Sequence, residues 1–286
     1  MRTATEKANL TARFERGVRQ SFAFLYRYVR VLRHRPIGLL WMLGFPAAFY
    51  LVTIATFIDF STIPESYHGA VRATTALSYG IFGAVLVSLT TVSGGLVSDL
   101  EAGRPGVYRS IGVSPAADLA GRVGSALCIA SAAVFIVIGV SLRTGATYTF
   151  SVTALPLVVV AFVGSVLPWI VIAYAIAIGT KSKRYATLIA VSLALVSYFA
   201  TGFNGTVPAT FTGDPGWLNL LPNTLSTRIL VANMVGIEDA AGAGLTPPSL
   251  PTDWTAVAVL GGYAIAAVGV LHTIGTKRLY NGRFEK

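Results

Sequence analysis

The residue types that support covalent or metal chemistry are scarce and far apart. His34, His68 and His272 are the only histidines and Cys128 is the only cysteine. No histidine pairs with a glutamate at metal-ligand spacing, and no nucleophile elbow occurs. The nearest approach to a phosphate-binding loop, Gly179-Thr180-Lys181-Ser182, separates its Gly from its Lys and lacks the first glycine. It also follows an apolar run instead of a strand, and reads as a basic anchor. No catalytic, cofactor-binding or metal-ligating residue is assigned, and an enzyme is not expected. The polar stretch that remains is SDLEAGRPGVYRSIGVSPAADLAGR, from Ser98 to Arg122. It combines opposite charges, helix-stopping Pro and Gly, and a Ser114-Pro115 helix start. A short helix there bearing Asp99, Glu101 and Arg109 would offer a compact polar knob to a soluble partner; a solvated connector is the plainer reading.

The elements that position this stretch are written in the apolar runs. The chain of 286 residues is 54% hydrophobic and 12% charged, with mean hydropathy +0.67, too apolar for a chain kept wet on its surface. Six runs approach or exceed the length that crosses a bilayer: residues 37–58, 73–97, 123–142, 152–179, 186–202 and 254–275. The expected class is an all-α integral membrane protein with six transmembrane helices filling 37–275. None of the runs contains Asp, Glu, Lys or Arg, whereas ion-coupled carriers and channels keep such a group in the bilayer. The energy for transport must then come from elsewhere. Nineteen Lys and Arg fall on one side of the membrane and three (Arg72, Arg143, Arg228) on the other, which places both termini in the cytoplasm. The same pattern accounts for the net charge of +10 without nucleic acid. A cleaved signal peptide is not expected, since the first apolar run starts only after 36 residues and is long enough to span.

Three further segments complete the organisation. Residues 1–36 hold an amphipathic helix with Phe14, Val18, Phe22, Leu25, Val29 and Leu32 on one face and Arg16, Arg19, Arg27, Arg30 and Arg33 on another. It should lie at the interface among anionic lipid headgroups, with Pro36 allowing a turn into the membrane. The extracytoplasmic segment 203–253 is moderately apolar at first and then Gly- and Pro-rich, which suggests short helices that re-enter the outer leaflet and cap an external gate. Its Asn204-Gly205-Thr206 is formally a glycosylation sequon, a three-residue match of little weight. Residues 98–122 form a cytoplasmic loop, and 276–286 a cytoplasmic tail.

With these features in place, the chain resembles the permeases of type-2 ATP-binding-cassette exporters, in particular the drug-resistance branch, over nearly its whole length. Arg33-His34-Arg35-Pro36 resembles the end of the family's N-terminal connecting helix, and Gly44-Phe45-Pro46 the proline that interrupts its first span. Asp99-Leu100-Glu101-Ala102-Gly103, followed by Gly121-Arg122, is similar to the coupling loop that meets the ATPase. The run from Lys181 through Phe203-Asn204-Gly205-Thr206-Val207-Pro208 to Leu220-Leu221-Pro222-Asn223-Thr224 is similar to the external re-entrant region. The proline of the coupling loop is displaced to Pro115, and Arg104-Pro105-Gly106 intrudes after Gly103.

The resemblance implies a plasma-membrane dimer of permeases, identical or sister chains, each joined to a cytoplasmic ATPase subunit that holds ATP and Mg. This chain would carry no cofactor. Asp99, Glu101, Tyr108, Arg109 and Pro115 would form the ATPase-coupling set. Candidates for a substrate path are Phe45, Phe49, Tyr79, Ser88, Thr91, Tyr198 and Phe203, whose uncharged surroundings favour a hydrophobic or amphipathic cargo such as a drug or lipid. A polysaccharide or lipid-linked-sugar exporter permease of the same architecture and a non-transporting membrane scaffold subunit are the competing readings.

Overall fold

The computed structural model describes residues 4–34, 36–180, 182–207, 210–211, 213–235 and 254–275, with backbone alone for 4–11, 13, 14 and 215. Among the described residues there are helices and turns and no strand. Helix α1 covers Ala4–Arg33, α2 Pro36–Thr56, α3 His68–Glu101, α4 Arg104–Ser110 and α5 Pro115–Arg143. Then come α6 over Leu155–Thr180, α7 over Lys183–Ala200, α8 over Pro222–Met234 and α9 over Trp254–Ile274. Five of them, α2, α3, α5, α6 and α9, are long and apolar enough to cross a membrane, and the molecule is an all-α protein of membrane-embedded type. Arg35, Lys181, Pro208, the Phe14 side chain, residues 236–253 and the tail 276–286 lie outside the described residues.

Several helices run past the apolar stretches that announce them. Helix α3 continues through Ser98-Asp99-Leu100-Glu101 and stops only where Gly103 turns left-handed at φ 62°. Asp99 and Glu101 therefore belong to its last turn and not to the short helix, which is α4 and carries Tyr108 and Arg109. Helix α5 begins at Pro115, a residue preorganised for a first helical turn, so Asp118 and Arg122 stand one turn apart on the helix itself. The expected fifth span, 186–202, is α7: it starts earlier, at Lys183, and ends at Ala200.

Helix α3 is the axis of the bundle: 83% of its most apolar stretch is buried, against 17% for α2 and for α9. Small residues permit this. Gly83 lies so close to α2 that an added Cβ would meet Pro46 Cγ at 2.7 Å, and Gly80 faces Val134 of α5. Hydroxyls fasten the same interfaces, with Thr53 and Tyr79 2.6 Å apart between α2 and α3. Helix α6 meets α9 at Gly164, where a Cβ would touch Leu260, and Ser226 of α8 donates to the Ala161 carbonyl at 2.7 Å.

Helix α7 runs along α3. At one end Lys183 Cε lies beside Gly94; at the other, Ser78 Oγ donates to the Phe203 carbonyl at 2.6 Å, just beyond the helix. The chain leaves α7 through four consecutive left-handed residues, Gly202, Phe203, Asn204 and Gly205. For Phe203 and Asn204 this conformation is strained. Asn204 holds it, donating to the Ser78 carbonyl at 3.1 Å and accepting from Asn223 Nδ2 at 2.7 Å.

Helix α1 is more than an interfacial anchor. Phe22 and Tyr26 are exposed, as are Arg16, Arg19, Arg30 and Arg33. The other side packs on α5: Phe24 is buried, Leu25 is in contact range of Gly124, and a Cβ on Gly121 would clash with Phe24 and come within 3.0 Å of the Leu25 nitrogen. Gln20 Oε1 also accepts from the Ser114 nitrogen at 3.2 Å, tying α1 to the start of α5.

Candidate functional site

At the end of the bundle that bears Arg27, Arg104, Arg122 and Lys183, which we call the basic end, one carboxylate gathers three helices around the last turn of α3. Asp99 is 1% exposed. It accepts from Arg27 of α1 at 3.0 Å and from Arg104 of α4 and Arg122 of α5. Arg122 also reaches Asp118, its neighbour one turn back, at 3.3 Å. Tyr28 of α1 donates to Asp118 at 2.6 Å and lies 3.3 Å from Asp99, with the Arg122 guanidinium stacked 4.6 Å from its ring centroid. Arg27 donates to the Tyr108 hydroxyl and so clasps α4. Burial pushes the Tyr28 and Tyr108 phenols up, so both stay protonated. Burial alone would pull the Arg27 guanidinium down, but Asp99, Tyr28 and Tyr108 hold it above its ordinary value.

Each position singled out for coupling finds a distinct place around this hub. Asp99 is inside it and cannot touch a partner directly. Tyr108 is half-buried beneath Arg27, Pro115 opens α5 and is half-buried, and Glu101 and Arg109 are exposed. Val107 and Ile111, at 55% and 68% exposure, sit beside Arg109 and make the outer surface of α4 partly apolar. The sequence does not mark Tyr28 or Asp118, and it offers Arg27, Arg104 and Arg122 only within a basic helix face or a loop motif, not as members of the coupling set. The i,i+4 spacing of Asp118 and Arg122 was the one available signal; the other contacts join residues far apart in sequence.

Beside the hub lies a cavity of about 540 Å³, within the range of small-molecule sites. Its walls are apolar, from Leu39, Met42 and Phe45 of α2, Leu86 of α3 and Val191 of α7, with Thr90, Thr91 and Thr187 among them. Its floor is formed by Arg27, Asp99, Arg104, Arg122 and Lys183. Of the candidate path residues, Phe45 and Thr91 line it. Ser88 does not: it is fully buried and donates to the Ala84 carbonyl of its own helix. The aromatics form a ladder leading away from the cavity. Phe45 packs at a tilt against Phe49 with ring centroids 4.5 Å apart, Phe49 meets Tyr79 and Tyr79 meets Tyr198, and Tyr198 contacts Phe203 at 5.4 Å at the left-handed turn. Phe82, not singled out from the sequence, completes the ladder against Tyr198 at 4.7 Å. Cavity and ladder together make a continuous run of apolar side chains leading from the arginine floor at the basic end toward the left-handed turn, packed closely beyond Phe45.

At the opposite end, Arg228 of α8 is 3% exposed, and its Nε and Nη1 have no hydrogen-bond partner. Burial pulls its guanidinium down to about 10. Asn204 of the formal sequon is 2% exposed with its amide engaged on both sides, which closes it to glycosylation in this fold. Among the described residues no group of His, Cys, Asp and Glu is placed to hold a metal ion. Compared with known proteins, the chain matches no family model and no curated sequence.

Proposed function

We propose that the chain is the membrane-spanning permease subunit of an ATP-driven exporter of the type-2 ATP-binding-cassette kind. It crosses the plasma membrane six times with its basic end in the cytoplasm, and moves a hydrophobic or amphipathic substrate. ATP and Mg belong to a separate ATPase subunit, and a second permease, identical or a sister chain, completes the path.

The observation that carries this reading is the hub. Helix α4 and the residue that caps it present Val107, Arg109 and Ile111 outward, while Arg104 and Tyr108 anchor the helix to Asp99 and Arg27. Any displacement of α4 by a docked partner passes through those bonds to α1, α3 and α5, the helices that floor and flank the cavity. The aromatic ladder is the plug that such tilting would part. A knob, a lever and a closed apolar column are the parts that alternating access requires, and the lopsided distribution of Lys and Arg favours the basic end as the inner one.

The test is affinity purification of the tagged chain from its native host in gentle detergent, with mass spectrometry and an ATPase assay on the eluate. A co-purifying ATPase whose association or turnover is lost with Arg109→Glu is the expected result. If the wild-type chain brings down no ATPase under conditions that preserve a control transporter, the exporter reading fails and the scaffold reading takes its place.

A further inference from the structure

We propose that the cavity at the basic end takes an amphiphile whose headgroup is anionic, a phosphate or a carboxylate, with the charge on the arginine floor and the tail along the apolar walls. The proposal rests on the permease reading for its biological sense, but its chemistry stands on the cavity alone.

The charge is unequally shared. Among the described residues, Asp99 and Asp118 are the carboxylates that pair with Arg27, Arg104 and Arg122, so three cations face two anions, with both carboxylates and Arg122 buried. Asp99 divides a single charge among all three. The Arg27 and Arg104 side chains, 30% and 45% exposed, line the cavity, and each guanidinium has five N–H donors, more than its bonds to Asp99 and Tyr108 use. A guanidinium matches the planar or tetrahedral oxygens of a carboxylate or phosphate through paired N–H bonds. A cationic headgroup would meet the excess positive charge, and a purely apolar ligand would strip water from the arginines without replacing it.

The shape agrees with the charge. Asp99 at the floor and Leu86 on the wall are thirteen residues apart on α3, about 20 Å along a helix. Between and around them the lining is mainly Leu, Val, Met, Phe, Trp and Gly, with the uncharged hydroxyls of Thr90, Thr91, Thr187, Ser98 and Ser125. Polar and apolar parts are thus segregated end to end, as an elongated amphiphile requires and a compact soluble anion does not.

The experiment uses the full chain in nanodiscs of zwitterionic lipid and measures binding of dodecyl phosphate, dodecylphosphocholine, dodecyltrimethylammonium and inorganic phosphate. Dodecyl phosphate should bind at least about tenfold more tightly than the other two alkyl ligands, the scale of one charge-assisted hydrogen-bonded contact. Arg104→Gln should remove most of that preference while leaving dodecyltrimethylammonium binding no weaker. Gly95→Leu, which enters open space in the cavity because nothing lies within 4 Å of its Cβ position, should weaken all three alkyl ligands. Equal binding of the three headgroups, or a preference untouched by Arg104→Gln, would overturn the anionic class. Inorganic phosphate binding as tightly as dodecyl phosphate would overturn the amphiphile in favour of a soluble anion. None of these arms uses an ATPase, so a failed co-purification sinks the exporter reading and leaves this one standing, and the converse also holds.

Discussion

Asp99 carries one negative charge on which three arginines converge, and its removal would leave them repelling one another, with Arg122 still buried. Breaking a buried pair by deleting one partner costs about 3–5 kcal/mol. Asp99→Asn should therefore lower the unfolding midpoint of the detergent-solubilised chain markedly. Arg104→Gln, at a half-exposed partner, should lower it by an amount near the ~0–1 kcal/mol of a surface pair. An Asp99→Asn midpoint no lower than that of Arg104→Gln would refute the hub as a structural centre. Arg228 is the reverse case: a buried cation with unpartnered nitrogens. Arg228→Met, similar in length and apolar, should leave the midpoint unchanged or raise it, and a clear fall in differential scanning fluorimetry would show a partner at that end. The sequence marks Asp99 as chemically interesting but not which way it faces. The direction is set by Arg27, 72 positions earlier, and Arg122, 23 later, and no local pattern encodes either distance.

Helices inherit their edges from chemistry that hydropathy does not weigh. The apolar runs locate α2, α3, α5, α6 and α9, but α3 and α5 each extend through charged turns because the hub satisfies the charges there. The amphipathic pattern of α1 is equally legible, yet it leaves open that α1 lies in contact with α5, since that contact is fixed by the absence of a side chain at Gly121. Gly121→Ala should force α1 away from α5 and cost about 1–3 kcal/mol by overpacking, with faster proteolysis near Gln20. Gly139→Ala on the same helix, where nothing lies within 4 Å, should be neutral or stabilising by up to ~1 kcal/mol through helix propensity. If the two variants behave alike, the α1 to α5 contact is not what Gly121 serves. The left-handed turn after α7 supplies a second test. Asn204→Ala removes the donor to Ser78 and the acceptor for Asn223, and should cost about 1–3 kcal/mol in the same assay. An unchanged midpoint would show that the turn holds without it.

Whether the molecule crosses the membrane five times or six turns on α7, which is 18 residues long and starts with Lys183-Arg184. Composition leaves it short of the other five, but its neighbour gives its depth. Lys183 lies beside Gly94 and Phe203 is bonded to Ser78. The segment thus runs alongside sixteen residues of the central helix, about 24 Å, most of a ~30 Å hydrocarbon core. On the proposed six-span reading, a helix that tracks α3 over that distance crosses with it. In a Cys128→Ser background, single cysteines at Ser110 and Ser182 should then react with a membrane-impermeant maleimide only from the cytoplasmic side, and cysteines at Ser61 and Asp214 only from outside. The pair flanking α7 is decisive. If Ser182 and Asp214 label from the same side while Ser61 and Ser110 label from opposite sides, α7 is a re-entrant helix, the molecule has five crossings, and α9 runs in the direction opposite to that proposed. Labelling of both pairs from opposite sides, with Ser110 and Ser182 inside, puts the arginine hub, the charged end of the cavity and the exposed face of α4 together on the cytoplasmic side, where an ATPase would have to dock.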